Sequence, residues 1–259
     1  MVDWSGGNDT GPTPRKDAIW VCEAGREPLY FRNRGLVEEW LDDLIEDTLT
    51  STQRLCVGFD FPFGYPAGFA RALTTSDDPL KLWDWFADRI EDAPRANNRF
   101  DVAGEINQAF GGRGPFWGNG LKRDIPGLPR TKRNYESPFA DRRAVELLAK
   151  GSFTCWQMSG VGSVGGQVMM GLPVLSRLHH RWPGQIAAWP FEPLKAPIAL
   201  LEIWPSLTVG AVPDGWIKDA WQVASVANDL AGMDPKALAG RLDISAPEEG
   251  WIFGIRQNR

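Results

Sequence analysis

Residues 55–66, LCVGFDFPFGYP, constrain this chain more than any other stretch. The unbroken apolar run suits a strand covered on both faces, as parallel strands in α/β proteins are. The run stops on Asp60, and Pro62, Gly64 and Pro66 prevent the strand from continuing. A buried strand that ends on a carboxylate and then turns puts that acid at the carboxyl-end rim of a sheet, where open α/β folds bind their ligands.

The flanking sequence supplies the rest of such a fold. MVDWS reads as a first strand, and DAIWVCEAG (17–25) with EPLYFRN (27–33) as a hairpin around a glycine turn. In LVEEWLDDLIED (36–47), Leu36, Val37, Trp40, Leu41, Leu44 and Ile45 recur at helical spacing with acids on the other face. From about 66 to 153 the composition changes: short helical pieces, PAGFARAL and DPLKLWDWFADRIED, give way to a Gly-, Pro- and Arg-rich stretch that reads as an irregular insertion. Beyond it, GQVMMGLPVLSRLHHR reads as helical, AAWPFE and APIALLEIWP (196–205) as strands, and DAWQVASVANDLAGM (219–233) as a helix. The expectation is one α/β domain over residues 1–259, carrying an insertion at about 66–153.

With 43% hydrophobic residues, the 259-residue chain buries a large core. A formal charge of −5 argues against a protein that coats nucleic acid or an anionic membrane over its whole surface. Cys22, Cys56 and Cys155 form no C-x-x-C pair, so neither a zinc ribbon nor a disulfide framework is indicated, and a reducing cytoplasm fits. No stretch reaches the ~18 to 20 apolar residues of a membrane span, and the start lacks the apolar core of a signal peptide.

Three apolar runs carry or end on an acid followed closely by Gly or Pro: Asp3 in MVDWSG, Asp60 in VGFDFPFG and Glu202 in ALLEIWPSL. Asp219 begins the late helix. Any one of these reads equally as a turn former, a cap or, for Asp219, a first-turn acid on the helix dipole. Together they read as carboxylates converging on one crevice, where mutual repulsion is relieved by a divalent cation.

The blocks VDWSG, GFDFPFGYP, WQMSGVGSVGGQ, GLPVL, WPFE, EIWPSL and EEGWIFGI, in this order, resemble the uncharacterised domain family numbered 429. The resemblance implies a ribonuclease H-like fold: a mixed sheet with an opening hairpin, then parallel strands and helices. It further implies a nuclease chemistry in which Asp3, Asp60, Glu202 and Asp219 hold Mg²⁺ or Mn²⁺ for phosphodiester cleavage. Only Met1 and Val2 precede Asp3, so a first strand there is short for a central one.

Two further features bear on substrate. GVGSVG (160–165) matches a Gly-rich phosphate loop letter for letter, with Gly162, Ser163 and Gly165 as the candidate contacts. A dinucleotide site is disfavoured, because Gly171 and Pro173 interrupt the helix that should follow and no acid lies about twenty residues on. Residues 113–143 hold eight basic against three acidic side chains, a local net charge of +5 in an acidic protein. Lys122, Arg123, Arg130, Lys132 and Arg133 interleave with Trp117 and Tyr135, a mixture suited to phosphate contact and base stacking, and equally to a solvated loop anchored by its aromatics.

Other schemes find less support. Val161 occupies the first glycine position of a G-x-S-x-G elbow around Ser163. His179 and His180, being adjacent, face different sides of any helix. The leading expectation is a divalent-metal-dependent phosphodiester hydrolase. The alternatives are a nucleotide-dependent phosphotransferase of the actin and sugar-kinase group and a non-catalytic binding module. Nucleic acid or nucleotide is the expected partner, and no membrane is.

Overall fold

A computed structural model describes residues 1–257, which fold as two compact units. The first comprises residues 1–61, 178–246 and 251–257, and the second residues 62–177 and 247–250.

The first unit is an α/β fold. It opens with β1 (Val2–Asp3), β2 (Ile19–Val21), β3 (Leu29–Phe31), α1 (Arg34–Thr50) and β4 (Leu55–Phe59). Asn33 caps α1 by accepting the Leu36 N–H at 3.1 Å, and Val37, Leu41, Ile45 and Thr48 form its buried stripe.

The second unit contains α2 (Phe69–Thr74), α3 (Pro79–Ala87), a two-stranded hairpin of β5 (Asp92–Ala93) and β6 (Ala96–Asn97), α4 (Arg99–Ala109) and α5 (Ala144–Leu148). The helix α6 (Gly165–Arg181) follows and belongs to this unit through Arg177. It runs unbroken past Gly171 and Pro173, which corrects the expectation that these residues interrupt it. Between α4 and α5 the chain forms no helix and only isolated bridges. This irregular stretch is held by Asn107, wholly buried on α4. Its amide donates to the carbonyls of Phe116 and Gly127, each at 2.7 Å, and accepts the Phe116 N–H at 2.8 Å. Tyr65, Phe69, Phe86, Phe116 and Trp156 meet edge-to-face, tilted or, for Tyr65 and Phe86, stacked around this stretch and form an aromatic core.

The chain returns to the first unit with β7 (Ile186–Ala188), β8 (Ile198–Glu202), a 3-10 turn (Pro205–Leu207), α7 (Lys218–Ala231) and α8 (Pro235–Leu242). One mixed sheet runs in the order β3-β2-β1-β4-β8-β7. Its first three strands are antiparallel, whereas β1, β4, β8 and β7 pair in parallel. Every residue of β8 is buried, as a central parallel strand requires. Ala220, Ala224 and Ala227 on the inner side of α7 let it lie close against β1 and β2. Of the segment read as AAWPFE only Ala187 and Ala188 are strand, at the end of β7, and Trp189 onward turns away. Among the described residues no helix is long and apolar enough to cross a membrane.

Candidate carboxylate site

The register of the central strands decides which acids meet. Val2 of β1 lies level with Phe59 of β4, so Asp3 and Asp60, one residue on, are neighbours on the opposite face of the sheet. Gly58 marks that same face as crowded just behind them. A Cβ there would collide with the Ile203 side chain and come within 2.9 Å of Met1 Sδ. Trp4, Phe59 and Phe61 pack against one another on the other side.

Asp60 is held by the backbone. Its Oδ1 accepts the Trp4 N–H at 2.6 Å, a bond that spans β1 and β4 at the point where both strands end. The loop that begins there, Ser5 to Gly7, is fixed by Arg34, a 4% exposed guanidinium at the start of α1 that donates to the Ser5 and Gly7 carbonyls at 2.8 and 2.6 Å. Asp219, buried in the first turn of α7, accepts the Asp17 N–H at 2.7 Å on Oδ2.

The electrostatics separate these acids from ordinary surface carboxylates. Burial raises Asp3 well above the usual range, and the Asp60 charge, a hydrogen bond between the two carboxyls and the Asp219 charge all push the same way, against Lys218. Burial also raises Asp60, to about 6, opposed by hydrogen bonds from Asp3, from the Trp4 N–H and from its own N–H. Burial raises both carboxyls, so the hydrogen-bonded pair holds a proton between them to higher pH than separate acids would. Asp219 is raised by burial, with the Asp17 N–H and the charges of Lys218 and Lys16 opposing. Asp9, in the same N-terminal region, shows the contrast. Hydrogen bonds from Arg32, Asn33 and the Gly11 N–H hold it down to about 2, as expected of a structural acid.

Glu202 does not join this group. It lies level with Phe59 across the β4–β8 pair, so the pleat turns it to the face opposite Asp60, where it is buried. Its backbone carbonyl accepts the Phe253 N–H at 2.8 Å. The donor chemistry of Asp3, Asp60 and Asp219 is all hard oxygen with excess negative charge, which suits Mg²⁺ or Mn²⁺. As the side chains stand, no group of three or more His, Cys, Asp or Glu among the described residues has the spacing to hold a metal ion.

The second unit accounts for most of the remaining candidates locally. In GVGSVG, Gly162 turns with φ 74° and a Cβ on it would overlap the Phe153 ring, while a Cβ on Gly165 would lie 2.6 Å from the Cys155 carbonyl. Ser163 N–H closes the turn onto the Gly160 carbonyl at 3.2 Å. No strand precedes this loop, since residues 152–158 are irregular apart from one bridge. Packing alone therefore explains the glycines.

The cations of 113–143 are largely committed as well. Arg123 pairs with Asp101 at 2.6 Å, and Arg130 with Asp124 at 2.7 Å and the Leu121 and Lys122 carbonyls. Lys132 pairs with Asp141 at 2.6 Å and lies over the rings of Trp117 and Tyr135. Those two aromatics thus already have a cation on them. Lys122 and Arg133 are exposed and make no salt bridge among the described residues. His179 bonds Glu192 at 3.0 Å, and Glu192 also accepts the Ala188 N–H, so this histidine ties α6 to the turn after β7.

Sequence reasoning passed over Arg34, Asp17 and Lys218. Arg34 reads as an ordinary helix-start cation, and only the fold reveals its burial. Asp17 and Lys218 gain meaning from a contact between residues 202 positions apart. No family model, curated protein or solved structure matches the chain.

Proposed function

We propose that this protein is a divalent-metal-dependent phosphodiester hydrolase, a nuclease whose first unit is of the ribonuclease H-like type. The observation that carries this reading is the placement of Asp3 beside Asp60 by the β1–β4 register, with Asp219 at the start of α7 near enough for its charge to act on both. The sheet order, with an antiparallel β3-β2-β1 and parallel β4 and β8, agrees with the layout that the sequence resemblance implies.

In this reading Asp3, Asp60 and Asp219 hold Mg²⁺ or Mn²⁺, and Glu202 supports the sheet. The cation supplies charge neutralisation at the phosphate and a more acidic water. The chain's own residues prepare that site. Asp60 is oriented by the Trp4 N–H and Asp219 by the Asp17 N–H, and closing around an ion would draw the three carboxyls nearer together than they stand. Asp3 releases its proton when positive charge comes near, since the repulsion that raises it is then relieved.

The test is cleavage of labelled single- and double-stranded DNA, RNA and hybrid by wild type and Asp60→Asn, with Mn²⁺, Mg²⁺ or EDTA, beside a fluorescence titration of each metal. Metal-dependent cleavage that disappears in a folded Asp60→Asn protein is expected. A fully active variant, or a wild type that neither binds metal nor cleaves, removes the reading. The latter result leaves the phosphotransferase and the binding module, to be separated by ATP titration.

A further inference from the structure

A phosphodiester approaching three carboxylates is repelled unless cations flank its path. In the first unit one segment is built to supply them. Residues 15–17 are tied down at both ends: the Arg15 carbonyl accepts the Trp20 indole N–H at 2.9 Å, and the Asp17 N–H is donated to Asp219. Asp17 takes φ 56°, a left-handed conformation unusual for a residue with a side chain, and this turn brings its N–H to the Asp219 carboxylate. The Asp17 side chain is 85% exposed, so the strain serves the backbone contact and not its packing.

This docking leaves Arg15 and Lys16 exposed on the segment whose Asp17 reaches Asp219, and Lys218, also exposed, precedes Asp219 at the start of α7. Lys16 lies 4.0 Å from Asp17 with both groups in solvent, a weak pairing, and Arg15 and Lys218 make no salt bridge among the described residues. Lys218 acts electrostatically on both Asp3 and Asp219, and Lys16 on Asp219, which places their charge within reach of the site. The cations of residues 113–143, in contrast, are mostly spent on internal acids and carbonyls.

We propose that Arg15, Lys16 and Lys218 form the phosphate-binding rim of the carboxylate site and grip the phosphate backbone of a nucleic acid strand. The proposal rests on the phosphodiester reading above for its substrate. The three residues are positioning groups that neutralise phosphates and take no part in bond breaking. Each phosphate neutralised on a single strand contributes about 0.7 to the slope of log affinity against log salt. Losing Lys16 and Lys218 therefore lowers that slope by about 1.4.

The experiment measures fluorescence anisotropy of a labelled single-stranded 20-mer, as DNA and as RNA, in EDTA over a range of salt. The proteins are wild type, Lys16→Ala/Lys218→Ala and Lys122→Ala/Arg133→Ala, each checked for an unchanged melting temperature. Lys16→Ala/Lys218→Ala is expected to weaken binding about tenfold or more at low salt and to flatten the slope by about 1.4. Lys122→Ala/Arg133→Ala is expected to keep the wild-type slope. An unchanged affinity and slope in Lys16→Ala/Lys218→Ala, a slope loss in Lys122→Ala/Arg133→Ala instead, or no oligonucleotide binding by wild type each overturns the rim. The hydrolase reading fails separately: a wild type that binds through the rim but never cleaves with metal keeps the rim and loses the chemistry.

Discussion

Replacing Asp60 with Asn should stabilise the metal-free protein at alkaline pH. Asp60 titrates near 6 in the fold against an ordinary 3.8, a rise of roughly two pKa units, and each unit is worth about 1.4 kcal/mol between the two protonation states. A carboxyl raised in the folded state gives stability that is fully present below the unfolded value and is lost as pH climbs through the folded value. In EDTA, wild type should therefore weaken between about pH 4 and pH 7, by at most about 3 kcal/mol from this group and by less to the extent that solvent reaches it. Asn keeps an oxygen to accept the Trp4 N–H and has no charge to desolvate, and its amide N–H can donate to Asp3. Urea unfolding of both proteins at pH 4.5 and pH 8 is the assay. The expected result is a variant about 1 to 3 kcal/mol more stable than wild type at pH 8, with the advantage shrinking at pH 4.5. Mg²⁺ or Mn²⁺ should stabilise wild type at pH 8 and leave the variant unmoved. A variant less stable than wild type at pH 8 would refute the argument, because Asp60 would then be a satisfied structural anchor.

Two further substitutions probe what holds the site. Arg34→Met leaves the Ser5 and Gly7 carbonyls without their donor, and should cost about 2 to 3 kcal/mol in urea unfolding while raising proteolytic cutting between residues 5 and 11. Gly58→Ala pushes a methyl group into the Ile203 and Met1 side chains, whose flexible ends can give way, and should cost about 1 to 3 kcal/mol by thermal or urea denaturation.

Much of the first unit was legible because its signals are local. The run at 55–59 reads as a strand from composition alone, although only Val57, Gly58 and Phe59 of it are buried, and α1 and α7 read from their spacing to within three residues of their ends. Asp60 was legible as a rim residue because Pro62 and Gly64 dictate the turn. Glu202 was misplaced for a reason the sequence hides: two strand-end acids look alike until the β4–β8 register assigns them to opposite faces, and one residue of register flips a side chain. Three helices went unread, α4, α8 and the five-residue α5, which is too short to show a period. α4 presents Phe100, Val102, Ala103 and Ile106 as buried positions on more than one face, so it lacks a clean amphipathic stripe. α8 did carry a start signal, with Asp234 accepting the Lys236 and Ala237 N–H groups at 3.0 Å and Pro235 at the first helical position. The stretch 113–143 misled through composition: a list of cations does not show that Arg123, Arg130 and Lys132 are already paired.

The two units treat charge in opposite ways, and that difference separates structure from site. In the second unit the buried Arg143 meets Glu146 at 2.9 Å and also donates to the Glu249 carbonyl, so its charge is cancelled where it lies. Such a pair holds a fold together and leaves no unmet demand. In the first unit Asp3, Asp60 and Asp219 repel one another, and the cations that act on them, Lys16 and Lys218, stand in solvent. Protonation of Asp3 relieves the repulsion only in part, since Asp219 still raises both members of the pair. The carboxylates nevertheless stay together because backbone N–H groups hold them: Trp4 through a loop pinned by Arg34, and Asp17 through a segment pinned by Trp20. Folding thus keeps like charges close, which is the demand that the proposed metal site would meet.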